Sequence, residues 1–180
     1  MNPTLALDAL LTDPRFPEIA AELEAWIPQS LADQYAAAGQ HTGAIRDLAA
    51  DAIGADPARS GWMRTRDIPE WIRLGALDAL MGWYTGKADT CRHSPSPDHP
   101  QPINAAAWKP GLIVCLQCTH LLKCRPGSLE ERTCDGCGHE CTGPENDDGV
   151  WPGLTQAGVL LYEYGVCSDC KGSLPEPAAR

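Results

Sequence analysis

Apolar residues along the first 86 or so positions recur at helical intervals, whereas beyond about residue 91 they collect in short runs broken by Gly, Pro and Cys. Asn2-Pro3 is a helix start, with Leu5, Leu7, Leu10 and Leu11 as its apolar stripe, and Thr12-Asp13-Pro14 ends that helix and opens another. Ile19, Leu23, Trp26 and Ile27 keep helical spacing up to Pro28, and Leu31, Tyr35, Ile45, Leu48 and Ile53 carry it onward around Gly39 and Gly43. The clearest helix is predicted from about Ile68 to Tyr84. Asp67 and Glu70 resemble a capping box and Pro69 sits in the first turn. Trp71, Leu74, Leu77 and Met81 fall on one face, and Ile72, Ala76, Leu80 and Trp83 widen it. So broad an apolar arc suits a helix central to a bundle or packed against the second half. The expected architecture is α+β, with a small helical domain over 1–88 and a Cys-containing domain of short strands and knuckles over 89–180, the boundary falling near Gly86 to Thr90.

In the second half, Gly111 to Cys115 and Gly158 to Cys167 read as strands that run straight into Cys-x-x-Cys turns, while Ser94 to Pro102 and Gly143 to Gly153 read as loops. The chain has nine cysteines, all beyond residue 90; an odd count in tight Cys-x-x-Cys spacing, with no signal-like N-terminal segment, favours metal ligation over disulfides. Four ligand pairs stand out: Cys91-x-His93, Cys115-x-x-Cys118, Cys134-x-x-Cys137 and Cys167-x-x-Cys170. Two sulfurs separated by two residues can face one ion from a tight turn whose amides also support the thiolates, and two such turns complete a tetrahedron. Two structural Zn2+ ions are therefore expected, and a small domain with few large apolar residues needs them as staples.

The preferred pairing puts Cys91, His93, Cys115 and Cys118 on one ion and Cys134, Cys137, Cys167 and Cys170 on the other, because each site then closes a local loop. Two alternatives stay open: an interleaved cross-brace, and a scheme joining Cys115 and Cys118 to Cys134 and Cys137 while the outer pairs meet. Cys124, Cys141, His120 and His139 are left over as bystanders, unless Cys141 or His139 replaces a member of the Cys134-x-x-Cys137 pair.

The segment Thr133-Cys134-Asp135-Gly136-Cys137-Gly138, with Tyr164-Gly165-Val166-Cys167-Ser168-Asp169-Cys170, resembles the paired knuckles of zinc-ribbon or treble-clef proteins over about a fifth of the chain. The resemblance implies a binding module. A ribbon is preferred over a treble clef, because Lys171-Gly172-Ser173-Leu174-Pro175 is a poor start for the helix that would carry the last ligands.

A net charge of −10 opposes general phosphate binding, and zinc–thiolate centres deepen it by about −3. No run of apolar residues approaches a membrane span, and the expected location is the cytoplasm. An Ala-, Gly-, Pro-, Asp- and Arg-rich composition with one Phe points to a bacterial or phage genome of high G and C content. No His-Glu-x-x-His, deaminase signature, nucleophilic triad or phosphate-cradling Gly loop is present, and both preferred ligand sets are complete at four, so a non-enzymatic role is expected. The leading expectation is a zinc-stabilised interaction module for a protein of the nucleic-acid machinery. The competing one is direct DNA or RNA binding through Arg59, Trp62, Arg64 and Arg66, or through Lys109, His120, Lys123 and Arg125. A structural role in a phage particle or conjugation apparatus is the third.

Overall fold

A computed structural model describes residues 2–52 and 65–174 and shows an α+β protein. Four helices, α1 (Pro3–Thr12), α2 (Phe16–Glu24), α3 (Gln29–Ala52) and α4 (Glu70–Tyr84), precede a five-stranded mixed sheet. Its strands are β1 (Asp89–Thr90), β2 (Ile103–Ala106), β3 (Leu112–Cys115), β4 (Trp151–Ala157) and β5 (Leu160–Val166), in the order β1-β3-β2-β5-β4. Two further short helices, α5 (Leu129–Arg132) and α6 (Ser168–Ser173), lie in the second half. No helix among the described residues is long and apolar enough to cross a membrane.

The local signals set most of the helix ends. Asn2 caps α1 by accepting from the Thr4 amide at 3.0 Å, and Asp13 accepts from the Arg15 amide at 2.8 Å where α1 gives way to α2. Two expectations are corrected. α4 begins at Glu70, not Ile68: Pro69 is its N-cap with no side-chain cap bond, and Asp67 instead ends a separate 3-10 turn, Thr65–Asp67. The stripe assigned to residues 19–53 is only in part the buried face: Tyr35 packs against the core, but other members do not. Trp26 is 86% exposed and Leu48 70%, with Leu23 and Ile27 also exposed, while Ala38, Thr42 and Ala50 are the buried residues of α3. Ile53 lies outside the described residues.

The reason is proximity. α3 rests on the β4–β5 turn through small residues: a Cβ on Gly39 would stand 3.7 Å from the Gly158 carbonyl oxygen. The Thr42 hydroxyl donates to the carbonyls of Ala38 at 2.9 Å and Val159 at 3.2 Å, and the Gln156 amide donates to the carbonyls of Gly39 and Gly158, both at 2.9 Å. A stripe of Leu and Ile would hold the helix too far away for these bonds.

Of the two roles expected for α4, packing on the second half is the one observed. Ile72, Ala76 and Trp83 share one core with Ile103, Ala105, Ile113, Leu160 and Tyr162 of the sheet, with α1 against α4 as well. Arg73 ties α1 to α4 through a bidentate ion pair with Asp8 and also donates to the Ile68 carbonyl at 2.7 Å. At Gly75 the helix meets the sheet so closely that a Cβ would lie 2.2 Å from the Tyr162 hydroxyl.

Both expected strands form, as β3 and β5; β1, β2 and β4 were not anticipated. β2 is buried at all four positions, so it shows no alternation, and β4 carries Pro152 and Gly153, which weaken the strand signal but are tolerated on a sheet edge.

Candidate metal centres

Downstream of α4 the chain builds the same unit twice. A turn carries two ligands, a hairpin follows, and the second strand of the hairpin ends on the third ligand, which caps a short helix whose first turn holds the fourth. In the first unit these parts are Cys91 to Ser94, β2–β3, and the 3-10 helix Leu116–Leu122 capped by Cys115. In the second they are Cys134 to Gly138, β4–β5, and α6 capped by Cys167. The caps match in conformation, with Cys115 at φ −73 and ψ 166 and Cys167 at φ −71 and ψ 171. Each turn closes with a left-handed residue, Ser94 at φ 45 and Gly138 at φ 74, whose amides donate to Cys91 and Cys134 at 2.8 Å.

α6 overturns the argument against a treble clef. The helix starts at Ser168, upstream of the unfavourable Lys171-Gly172-Ser173 stretch, and is over by Ser173, so only its tail has to tolerate Gly172. Cys170, the last ligand, therefore does stand on a helix.

The eight expected ligands gather in two sets, Cys91, His93, Cys115 and Cys118, and Cys134, Cys137, Cys167 and Cys170, the ligand atoms of each lying within 4.8 Å of one another. This is the first of the three pairings considered above. The distances suit a tetrahedral ion. Metal–sulfur bonds of about 2.3 Å give a ligand–ligand edge of about 3.8 Å. Cys91 Sγ lies 3.8 Å from Cys115 Sγ, and Cys137 Sγ 3.8 Å from Cys167 Sγ. His93 enters through Nδ1, at 3.3 Å from Cys115 Sγ and 3.2 Å from Cys118 Sγ, shorter in keeping with the shorter metal–nitrogen bond. All nine cysteines are free thiols.

The thiols do not share one electrostatic state. Burial opposes ionisation of Cys134, yet the Cys167, Cys137 and Gly136 amides bring it down to about 7. Burial, reinforced by the neighbouring sulfurs of Cys91 and Cys115, pushes Cys118 up to about 11, and burial next to three other thiols raises Cys170 as well. One thiolate is thus favoured while adjacent ones repel, and a divalent cation at the centre removes that repulsion.

The strand register sets the distance between the centres. Ile103 of β2 stands opposite both Cys115, on antiparallel β3, and Leu160, on parallel β5. Cys167 lies seven residues beyond Leu160, about 23 Å along the strand at about 3.3 Å per residue. The centres therefore sit at opposite ends of the sheet.

α4 reaches from one to the other. The Trp83 indole donates at 2.8 Å to the Pro95 carbonyl, next to the first turn, and the Tyr35 hydroxyl of α3 donates at 3.0 Å to the Pro97 carbonyl. At the other end Trp71 packs among Cys134, Cys167 and Cys170, edge-on to Tyr164 with ring centroids 5.4 Å apart. A Cβ on Gly136 would meet both the Cys170 sulfur and the Trp71 ring at 3.3 Å.

Among the remaining residues, Cys124 is half-buried and His120 exposed, and neither belongs to a ligand cluster among those described. Cys141 and His139 do not replace a member of the Cys134 pair; they join Asp148, seven residues further on, in a third group. Lys109 is not a free cation of the basic patch, since its ammonium donates to the carbonyls of Leu121 at 2.7 Å and Lys123 at 3.0 Å at the end of the 3-10 helix. Arg66 lies 3.9 Å from Asp67, and Arg59, Trp62 and Arg64 fall outside the described residues. Compared with known proteins, the chain matches no family profile, no curated protein and no solved structure.

Proposed function

We propose that the chain is a zinc-stabilised interaction module that binds another protein, most specifically a component of the nucleic-acid machinery with a basic surface. The observation that carries the zinc assignment is the closed four-ligand geometry of both clusters, which suits structural Zn2+ and leaves no coordination position for substrate. The partner assignment rests on charge and exposure. The chain carries −10, and the end of α2 and the turn after it present Leu23, Trp26 and Ile27 to solvent, close in sequence to Glu18, Glu22 and Glu24. Apolar anchors with an acidic rim suit a partner groove lined by basic residues.

Direct nucleic-acid binding is the weaker reading, because Lys109 is committed to the 3-10 helix and the chain as a whole repels phosphate. The test is affinity capture from the source cell with wild type and Trp26→Glu. Recovery of a nucleic-acid-machinery protein by wild type alone, with zinc content near two per chain in both, supports the proposal. Capture unaffected by Trp26→Glu removes the Leu23 to Ile27 patch from it, and tight DNA or RNA binding in low salt by both proteins replaces it with the competing reading.

A further inference from the structure

Between the second turn and β4 lies a cluster that neither four-ligand centre uses. An isolated antiparallel bridge pairs Thr133 with Glu140, and the flanking residues His139 and Cys141, two apart on extended backbone, project to the same side. A second bridge, Gly143 with Asp148, folds the next loop back so that Asp148 faces them. His139 Nε2, Cys141 Sγ and an Asp148 carboxylate oxygen lie within 4.8 Å of one another.

We propose that these three residues form a third metal site, for one borderline divalent transition ion of the zinc, cobalt or nickel class, with an exchangeable position open to solvent. The donor set is mixed nitrogen, sulfur and oxygen, as such ions accept. The Asp148 carboxylate is already oriented: Oδ2 accepts from the Thr142 amide at 2.9 Å and hydroxyl at 3.1 Å, which leaves Oδ1 towards His139 Nε2 at 3.0 Å. An ion about 2.1 Å from each of those two atoms subtends about 90° between them and takes the place of the hydrogen they share. Cys141 is 2% exposed and forms the floor, while half-exposed His139 forms the rim. Three protein ligands at a solvent-facing rim leave the next position to water or an incoming anionic ligand, unlike the closed centres.

The test uses the full chain purified with its zinc and titrated with cobalt(II), read by metal analysis and by thiolate-to-cobalt charge-transfer absorption. The expected result is one further equivalent beyond two zinc ions, with the charge-transfer band. His139→Ala, at an exposed position that leaves the core intact, is expected to weaken it at least tenfold while zinc content stays at two. Thr142→Val is expected to weaken it less, and Cys141→Ser to remove the band. Protein that already holds three zinc ions, falling to two in His139→Ala, supports the site equally. Saturation at two ions in wild type, or a third equivalent unaffected by His139→Ala and Asp148→Asn, overturns it. A tightly held zinc count other than two in His139→Ala counts against the structural zinc assignment and not against this site.

Discussion

The two turn–hairpin–helix units use the same ligand order and are supported in different ways. The first keeps most of its support within itself. Cys91, Cys115 and Cys118 are buried with Ala106, Val114 and Leu122, Trp108 donates to the Leu122 carbonyl at 2.6 Å, and Lys109 closes the end of the 3-10 helix. The second borrows from the helical half: Cys137 is exposed, Cys170 half-buried, and the ring of Trp71 covers the centre. One coordination pattern can therefore be held by a small local core or by a side chain from a distant helix, and the pattern alone does not tell which. It also follows that damage should spread differently from the two ends.

Chelation should do the most damage. Structural zinc contributes on the order of 10–16 kcal/mol in small zinc domains, comparable with or above the ~5–15 kcal/mol stability of a whole domain. Removing both ions should abolish near-ultraviolet circular dichroism and expose the core shared by α3, α4 and the sheet. Single ligand changes separate the units. Cys134→Ser is expected to increase hydrogen exchange in the first turns of α4, around Trp71, more than Cys118→Ser does; equal exchange there in both variants would mean that Trp71 does not support the second centre.

Gly75→Ala forces a methyl group into the Tyr162 hydroxyl and should cost about 1–3 kcal/mol by denaturant titration, partly recovered in the Tyr162→Phe background. Because Cys118 is held up near 11, it enters the metal centre as a neutral thiol at pH 7 and must give up its proton. Metal uptake should therefore release protons, seen with an indicator dye, and affinity for the first centre should fall as pH falls. The smallest effect belongs to the first turn. Ser94 occupies a left-handed conformation at φ 45 where the second turn has Gly138, so Ser94→Gly should raise stability by at most about 1 kcal/mol.

Some of this was open to reading in the sequence. Val114-Cys115-x-x-Cys118-x-x-x-Leu122 and Val166-Cys167-x-x-Cys170-x-x-x-Leu174 carry the repeat, because the same strand end, two ligands and helix closure are needed each time. The start of α1 at Asn2 and the break at Asp13 were legible because capping and turn bonds are local. The buried face of α3 was not, since Ala38, Gly39 and Thr42 matter for what they allow to approach, which depends on Gly158 far along the chain. Asp148 was hidden for a similar reason: only the bridge to Gly143 brings it to His139 and Cys141.

The pairing of early helices with the last hairpin also has a consequence in time. Thr42 bonds to Val159, 117 positions later, and Gly75 lies against Tyr162. On a ribosome adding about 5–20 residues per second, α3 and α4 wait several seconds for the strand they cover. The first unit can take up its metal within that interval, so on a nascent chain a half-built sheet, clamped at one end, precedes the closed helical layer.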